Sequence, residues 1–512
     1  METPWSSTKL PRYPRLEEQL YADAAVIGGG IAGILTAYFL HEQGVRVILL
    51  EEDRLAGGTT ARTTAKITAQ HGVFCEQLVQ NFGVHLARQY VQANLHAVKQ
   101  YRELIERKGI SCDFSAAPSY VYAAPDGPPL EREMAYAAYL GAPARLCVPT
   151  ELPFPVREAV CFEQQARFDP LQFLAALLPG LTIYEHSPAR DIRGHTVRCD
   201  GGSVTADHII VTTHFPMLDR RGLYSLRMYQ QRSYLLALAN APKLEGMYLD
   251  AGGDGWSLRQ SGELLLLGGG SHRCGENLGD SYECLRRQAR LWFPQSKEVY
   301  AWSTQDCMTL DGVPYVGLYS STMPFLHVAT GFGKWGMTNA MAAATILTAG
   351  ILGNHSPYAE VYSPTRFFPS ASISTLMEGA GYAIRGIGRR LFVPGEKAAE
   401  NIAPGHGGIV QYHGKKYGVT ATRTARFTPC PPPVRIWGVS LRGTTMKRPG
   451  TAPVTARALT IPGGVCMNRQ RSRSSPARIS DGGKYKKWAK SPLFLLLFRF
   501  TPVFRFPKAP DA

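Results

Sequence analysis

The sequence predicts an α/β fold that contains a Rossmann-like nucleotide-binding domain and ends in an irregular tail. Two stretches, residues 22–51 and 326–349, have the pattern of a strand, a glycine-rich turn and a helix. Within the tail, KRPGTAPVTARALT (447–460) shows neither the two-residue period of a strand nor the 3.6-residue period of a helix. Apolar residues make up 45% of the 512 positions, which is enough for a sizeable core ahead of that tail.

The first glycine turn has the spacing of a dinucleotide-binding motif. Residues 22–51 read ADAAVIGGGIAGILTAYFLHEQGVRVILLE, with a short buried strand before the glycines and a helix and second strand after them. Gly28 permits the tight turn, Gly30 lets the backbone approach a pyrophosphate, and Gly33 lets the helix pack against the strand. The unpaired N–H groups at the helix N-terminus then face the phosphates.

The segment after the second strand extends this motif. Glu51 ends that strand and is placed to accept hydrogen bonds from ribose hydroxyls, with neighbouring Glu52 as the alternative. Residues 53–72 follow, rich in Gly and Thr and carrying Arg62 and Lys66. Such a loop can wrap a pyrophosphate with backbone N–H groups and hydroxyls. A flexible surface loop is the alternative interpretation of the same composition.

A second glycine-rich turn lies much later in the chain. LHVAT (326–330) is a predicted strand, and a helix of small residues follows the glycines at 331, 333 and 336. Its N-terminus could stabilise negative charge on a bound cofactor, although a purely structural strand–helix turn has the same pattern. Between the two motifs, DHIIVTTHFP (207–216) predicts a buried strand of the nucleotide-binding domain.

Charge and cysteine usage limit the class of protein. Residues 420–512 contain 18 Lys or Arg and two acidic residues, which accounts for the entire net charge of +16. The rest of the chain is neutral, which argues against a nucleic-acid-binding core. The ten cysteines include no C-x-x-C pair, so neither a metal site nor a redox motif is predicted.

No targeting or membrane segment is evident. The N-terminus METPWSSTKLPRYP lacks an apolar region, and the longest apolar run of the tail, residues 493–498, is too short to cross a bilayer. We therefore expect a soluble, cytoplasmic protein with no membrane span and no nucleic-acid partner.

These stretches together resemble the FAD-dependent oxidoreductases of the D-amino-acid oxidase and glycine oxidase type, over about residues 20–362. GGTTARTTAKITAQHG (57–72), WSTQDCMTLDGVPYVG (302–317) and ATGFGKWGMTNA (329–340) resemble the bacterial subgroup with a C-terminal Rieske [2Fe–2S] domain. The resemblance implies that FAD is held by the following residues: Gly28, Gly30, Gly33, Glu51, Gly58, Thr59, Arg62, Thr63, Thr64, Lys66, Gly331, Gly333, Gly336, Met337 and Thr338.

The same resemblance implies a division into domains. It gives a discontinuous FAD-binding domain and a second, substrate-binding domain built on an antiparallel sheet, to which QQRSYLLALA and GELLLLGGG would belong. The expected order is FAD-binding domain at 20–89, 151–218 and 308–362, substrate domain at 90–150 and 219–307, linker at 363–395, start of a Rieske-like domain at 396–419, and aberrant basic tail at 420–512.

The chemistry implied is oxidation of a carbon–nitrogen bond by hydride transfer to flavin, with oxygen or an external carrier as electron acceptor. Relatives that oxidise free amino acids hold the substrate carboxylate with an Arg just before D-G-x-P-x-x-G, where this chain has Asp306. A carboxylate there favours a cation and leaves amines or amino-acid-like compounds as substrates. Arg259 is a possible replacement anion contact, and a solvated arginine at a strand end is the alternative.

The tail lacks the ligands of the cluster that the subgroup carries. A Rieske domain needs two Cys and two His, and no histidine follows His413. We hypothesise a reading-frame shift near residues 419–420, because back-translation of 420–461 can restore C-x-H and C-x-x-H. Three interpretations stay open besides an active enzyme: a genuine basic arm, an FAD-binding but catalytically impaired product, and a flavin enzyme of other chemistry.

Overall fold

The structure is a computed structural model. It describes residues 2–218, 222–252, 255–274 and 280–366, together with the strand segments 407–412, 415–421 and 427–429. The predicted linker after residue 366 and most of the predicted tail lie outside these ranges.

The helices in the described ranges follow the predicted glycine turns. They are α1 (Ile31–Glu42), α2 (Cys75–Lys108), α3 (Glu131–Tyr139), α4 (Pro170–Ala175), α5 (Tyr224–Arg227), α6 (Ser281–Trp292), α7 (Gly336–Ile351) and α8 (Ala359–Tyr362), with 3₁₀ turns at Pro4–Ser7 and Thr60–Arg62. Residues 87–108 have the apolar period of an amphipathic helix and form the larger part of α2, which bends at Gly83, where φ is 76°.

The strands in these ranges make up four sheets. They are β1 (Gln19–Ile27), β2 (Val47–Leu50), β3 (Lys66–Ile67), β4 (Ser115–Ala116), β5 (Ser119–Ala123), β6 (Ala144–Cys147), β7 (Glu158–Phe162), β8 (Ala166–Arg167), β9 (Thr182–Tyr184), β10 (Ala189–Arg193), β11 (Thr196–Cys199), β12 (Ser203–Val211), β13 (Met228–Ala239), β14 (Met247–Asp250), β15 (Ser257–Ser261), β16 (Leu264–Arg273), β17 (Lys297–Thr309), β18 (Tyr315–Leu318), β19 (Leu326–Thr330), β20 (Gly407–Tyr412), β21 (Lys415–Ala421) and β22 (Phe427–Pro429).

The first sheet is the predicted nucleotide-binding one. Its order is β10-β11-β12-β1-β2-β9, with β19 paired to β12 and β18 paired to β19. β9, β2, β1, β12 and β19 are mutually parallel through their shared pairings. Their carboxyl ends therefore meet at one edge, which is the edge where open α/β sheets bind ligands. The predicted strands at 207–216 and 326–330 are confirmed as β12 and β19.

Both faces of this sheet are buried. Ala24, Val26 and Leu49 point into a core formed with α1, α2 and α7, while Ala25 and Ile48 point into a separate core on the opposite face. This alternation explains why the strands read as continuous apolar runs rather than as an apolar and polar alternation.

The second sheet has the order β17-β13-β16-β15-β14-β5-β7-β6. QQRSYLLALA and GELLLLGGG are confirmed as parts of β13 and β16, which pair in antiparallel fashion. The expectation of a wholly antiparallel sheet needs one correction, because β14 and β5 are parallel.

Three predicted domain limits also need correction. The limit between residues 89 and 90 falls inside α2. The strand β7 was predicted to belong to the FAD-binding domain, but it pairs with β5 and β6 of the second sheet. Arg366, placed in the linker, forms a buried ion pair with Asp311 at 2.9 Å. Sequence similarity could not locate these limits because strand pairing and ion pairing depend on residues far apart in the chain.

The segment expected to begin a Rieske-like domain contains an antiparallel hairpin. β20 pairs with β21 in antiparallel register, from Gly407 opposite Thr420 to Tyr412 opposite Lys415. β21 runs past residue 419 to Ala421 and pairs with β22. The predicted limit at 419–420 therefore does not coincide with the end of regular structure. Residues 430–512 of the predicted tail lie outside the described ranges.

None of the helices in the described part of the chain is long and apolar enough to cross a membrane. The cysteines in that part are free thiols.

Candidate functional site

The first glycine turn lies where β1 ends. Gly28 adopts φ 111°, which L side chains rarely adopt, and donates its N–H to the Leu50 carbonyl at 2.8 Å. A Cβ on Gly28 would lie 2.7 Å from the Thr212 carbonyl oxygen. The turn is therefore closed on both sides by the ends of β2 and β12.

The other two motif glycines shape the start of α1. A Cβ on Gly33 would lie 1.9 Å from the Gly28 carbonyl oxygen, so that only glycine allows this approach of helix and turn. Gly30 is the N-cap residue of α1, and the next N–H, that of Ile31, is accepted by the Thr60 hydroxyl at 3.1 Å. Thr60 was missed by the sequence interpretation, although it lies within the predicted loop.

Glu51 lies directly after β2, at the same sheet edge as Gly28. Its carboxylate accepts the N–H of Gly29 at 2.7 Å and the N–H of Asp53 at 2.9 Å. Burial raises its pKa against the opposing effect of these two bonds. Each carboxylate oxygen has a second lone pair, so ribose hydroxyls remain possible donors. The alternative, Glu52, is exposed.

Backbone carbonyl groups of the loop after Glu51 accept hydrogen bonds from side chains that are distant in sequence. The indole N–H of Trp302 donates to the Arg62 carbonyl at 3.0 Å, and that of Trp5 donates to the Thr63 carbonyl at 3.0 Å. The Arg259 guanidinium donates to the carbonyls of Thr64 and Ala65. Successive carbonyls are thereby fixed in direction.

This arrangement leaves backbone N–H groups on the opposite side of the loop. In a trans peptide the C=O and the following N–H point in opposite directions. The N–H groups of Thr63 and Thr64 therefore point away from Trp302 and Trp5. Two such N–H groups can receive a polar edge of a ligand.

The remaining predicted residues of the loop have different environments. Gly58 is exposed, and a Cβ there would meet no atom within 4 Å, whereas the Thr59 hydroxyl donates to the Gln305 carbonyl at 3.5 Å. The Lys66 ammonium donates to the Tyr248 carbonyl at 2.8 Å and to the Ser257 hydroxyl at 2.7 Å. Burial lowers its pKa to about 7. The Lys66 side chain is thus directed at the second sheet.

Arg259 is neither a solvated arginine nor a free anion contact. It is 2% exposed, and its N–H groups donate to backbone carbonyls, including those of Gln260 and Phe168. Burial lowers its pKa to about 9. Both interpretations made from the sequence need correction, because most partners of Arg259 lie more than 90 residues away along the chain.

The second glycine turn lies at the same sheet edge, after β19. Gly331 and Gly333 have φ values of 75° and 57°. A Cβ on Gly331 would lie 2.4 Å from the Thr309 side chain, and Gly333 donates its N–H to the Cys307 carbonyl at 2.9 Å. Gly336 begins α7, whose N-terminal N–H groups have no partner within the helix.

Met337 and Thr338 lie in the first turn of α7 and are buried. The Met337 carbonyl accepts the Tyr101 hydroxyl at 3.0 Å, and the Thr338 hydroxyl donates to the Thr68 carbonyl at 3.1 Å. These contacts fix α7 against the loop and against α2. Met337 and Thr338 can therefore contact a ligand through their backbone N–H groups.

Asp306 lies on β17 between the two predicted cofactor segments. It is 6% exposed, and burial raises its pKa to about 7 against the opposing charge of Lys334. Arg62 and Lys334 are exposed, and desolvation by neighbouring groups lowers the pKa of both.

The described residues offer no metal site, and the full sequence offers no Rieske ligand set. The described ranges hold no group of three or more His, Cys, Asp or Glu that could bind a metal. The full sequence has no histidine after His413, so the two-Cys, two-His set of a Rieske cluster cannot be completed in the segment that follows the hairpin.

The chain is similar in sequence to proteins of the kind that the sequence motifs predict. The chain is 36% identical over 445 residues to "Putative Rieske 2Fe-2S iron-sulfur protein YhfW" of Bacillus subtilis, a match that covers 83% of this chain and 87% of the relative. It is 24% identical over 362 residues to gamma-glutamylputrescine oxidoreductase of Escherichia coli, a match that covers 64% of this chain and 84% of the relative.

Solved structures share the fold. Glycine oxidase from Geobacillus kaustophilus has a TM-score of 0.57 at 20% identity, covering 68% of this chain and 99% of its own. L-amino acid deaminase from Proteus vulgaris has a TM-score of 0.55 at 16% identity, covering 70% of this chain and 99% of its own. The model of the family described as "DAO: FAD dependent oxidoreductase" matches residues 23–349, and the chain belongs to this family of FAD-dependent oxidoreductases.

Proposed function

We propose that the chain oxidises a carbon–nitrogen bond of an amine or amino-acid-like substrate by hydride transfer to FAD. The observation that carries the proposal is the position of β17 between both cofactor segments. Trp302 donates to the carbonyl of Arg62, and the Cys307 carbonyl accepts the N–H of Gly333. The ionisable group between these two contacts is Asp306. A substrate lying against this part of β17 would also lie against the cofactor.

The residues that would hold FAD fit a dinucleotide in shape and polarity. The close approach at Gly28 and Gly33 leaves room for a pyrophosphate at the N-terminus of α1, and Glu51 can accept ribose hydroxyls. The N–H groups of Thr63 and Thr64 and the N-terminus of α7 would surround the polar edge of the flavin. When bound, FAD supplies the hydride acceptor, so the protein has only to bind and orient the substrate.

The electron acceptor would be oxygen or an external carrier. The Bacillus subtilis relative is named as a Rieske protein, whereas this chain contains neither the C-x-H nor the C-x-x-H of a cluster ligand set. The absent ligands motivate the frame-shift hypothesis, and sequencing the gene tests it. The hypothesis fails if no single-base shift restores C-x-H and C-x-x-H.

The experiment is to purify the full chain and follow the flavin spectrum. The protein should be yellow, release FAD on denaturation, contain no iron above background, and lose its flavin absorbance when mixed anaerobically with an amine or amino-acid substrate. Re-admission of oxygen or addition of an artificial electron acceptor should restore the absorbance.

Two other outcomes separate the alternatives. Yellow protein that no amine or amino acid bleaches would favour a catalytically impaired product or a flavin enzyme of other chemistry. Colourless protein that does not take up added FAD would contradict the cofactor assignment itself.

A further inference from the structure

Asp306 faces the side of the second sheet that also contacts the cofactor loop. β17 residues alternate between the two faces of the sheet, so Trp302, Thr304 and Asp306 share one face. Trp302 reaches the Arg62 carbonyl from that face. The opposite residue on β13 is Gln231, and Ser233 lies opposite Thr304. The face is therefore polar at the point where it meets the cofactor segments.

The Asp306 carboxylate has neither a hydrogen-bond partner nor an ion pair among the residues that the structure describes, and the electrostatic effect on it from those residues is that of Lys334. The nearest opposing charge is that of Lys334, whose ammonium instead donates to the Ser271 hydroxyl at 2.8 Å. Ser271 in turn exchanges a hydrogen bond with Ser233 at 2.9 Å. This chain of bonds holds Lys334 near the carboxylate but not on it.

A carboxylate on a residue this deeply buried is costly to the fold when no charge opposes it closely, and buried charges in proteins are usually paired. The Asp306 oxygens are not among the fully enclosed atoms without a partner, so a ligand can reach them. A substrate that carries a positive charge would supply the missing partner. A substrate with a carboxylate on the carbon beside its nitrogen would bring a second negative charge to the same place. The chemistry of the site therefore discriminates between amines and α-amino acids.

We propose that Asp306 binds the ammonium group of the substrate, and that the substrate is a primary or secondary amine with no carboxylate on the carbon to be oxidised. This inference rests on the proposed function and narrows its substrate class. Asp306 then accepts one proton from the ammonium, which leaves a neutral amine. The C–H bond next to that nitrogen can lose a hydride to FAD, and water hydrolyses the resulting iminium to a carbonyl compound and an amine or ammonia.

The ionisation of Asp306 suits this role. With a pKa raised to about 7 by burial, the carboxylate can both attract a cation and take up its proton near neutral pH. Lys334 faces the Asp306 carboxylate from the second glycine turn. Cys274, just after β16, and Cys307, next to Asp306 on β17, also interact with this carboxylate.

The test compares amines with amino acids that differ only by the carboxylate, such as phenethylamine with phenylalanine and putrescine with ornithine, both enantiomers of each amino acid being used. Binding is measured as a shift of the flavin spectrum and turnover as anaerobic bleaching. We expect each effective amine to bind and react at least about tenfold better than its matched amino acid. Amino acids that match or exceed the amines would overturn the inference.

Variants of the same face give a second test. Asp306→Asn should lower kcat/KM for amines about 10- to 100-fold, because a charged hydrogen bond is lost. Lys334→Met, which removes the competing positive charge, should raise amine affinity. Asp126→Asn, at an exposed turn residue, is the matched control and should change nothing. An Asp306→Asn variant with unaltered amine kinetics would contradict the assignment.

Failure of the inference is distinguishable from failure of the proposed function. If no compound bleaches the flavin, the proposed oxidation fails, and the spectral shifts alone decide whether amines bind through Asp306. If amino acids bleach it and matched amines do not, the oxidation holds and the role of Asp306 is wrong. If no amine shifts the spectrum, the inference is overturned in either case.

Discussion

The indole N–H of Trp302 on β17 donates to the carbonyl oxygen of Arg62 at 3.0 Å, across 240 residues of sequence. This bond joins the sheet that carries Asp306 to the loop predicted to contact the cofactor. Trp5 makes the equivalent bond to the Thr63 carbonyl, at 3.0 Å. Two tryptophans from distant parts of the chain therefore fix the direction of adjacent peptide groups.

Replacing either tryptophan should weaken FAD binding. Trp302→Phe or Trp5→Phe keeps an aromatic ring but leaves a carbonyl without its donor, at a cost of about 1–3 kcal/mol. We expect FAD to dissociate about tenfold more readily, as measured by titration of the apoprotein with FAD. Trp292→Phe is the control, because the indole N–H of Trp292 makes no hydrogen bond within the described ranges. Unchanged FAD affinity in both variants would show that the loop does not need these donors.

Gly33→Ala should abolish FAD binding or folding. The new Cβ would lie 1.9 Å from the Gly28 carbonyl oxygen, so α1 would have to move away from the turn. Gly350→Ala is the matched control: Gly350 lies inside α7 with no atom within 4 Å of a Cβ, and this change should stabilise the helix by about 0.5–1 kcal/mol. Flavin content and thermal unfolding check both. A Gly33→Ala protein with full flavin content would contradict the motif.

The Asp311–Arg366 ion pair should contribute strongly to stability when only one partner is removed. Both side chains are nearly buried, at 4% and 3% exposure, and the guanidinium makes two bonds to the carboxylate at 2.9 and 3.0 Å. Arg366→Met should therefore lower the free energy of unfolding by about 3–5 kcal/mol.

The exposed Asp23–Arg46 pair is the control for this measurement. Its side chains are 36% and 72% exposed, so Arg46→Met should cost less than about 1 kcal/mol. Equal effects of the two replacements in denaturant unfolding would mean that residue 366 is not held in the body of the protein as described.

The pH dependence of cation binding should follow Asp306. A quaternary ammonium such as benzyltrimethylammonium keeps its charge at every pH. Because the pKa of Asp306 is raised to about 7, its carboxylate is neutral well below pH 7. Affinity should therefore fall about tenfold per pH unit below 7 and level off above it. The flavin spectral shift measures this, and the profile should flatten in Asp306→Asn.

The raised pKa of Asp306 also predicts how the stability of the protein changes with pH. A carboxyl group whose pKa is higher in the folded than in the unfolded protein destabilises the fold as pH rises from its unfolded value, near 3.8, through about 7. Asp306→Asn should thus unfold at a higher temperature than the unaltered protein at pH 8, by a smaller margin at pH 5, and at a similar temperature below about pH 4, without amine present. A lower unfolding temperature at pH 8 would indicate a structural role for the carboxylate.

Local patterns were enough to locate much of the cofactor-binding half. The strand before Gly28, the helix after it and the strands β12 and β19 could all be predicted, because apolar runs and glycine spacing report backbone geometry within a few residues. The parallel order of those strands then brings Gly28, Glu51 and Gly331 to one edge without any further information.

The environments of charged side chains could not be predicted in this way. Arg259 was expected at a strand end, free for an anion, and instead holds the carbonyls of Thr64 and Ala65. Lys66 was expected to contact the cofactor and instead donates to Tyr248 and Ser257. Thr60 and Trp5 carry no sequence signal of their contacts. Each of these bonds joins residues far apart in the chain.

The family, the glycine turns and the presence of a carboxylate at position 306 follow from the amino-acid sequence alone. Only the packing of the folded chain shows that this carboxylate is nearly buried and has no partner among the described residues. The same packing shows that the neighbouring Lys334 donates to Ser271. The physical reason is that glycine geometry is set by adjacent peptide groups, whereas the cost of a charge depends on what other strands bring within a few ångströms of it.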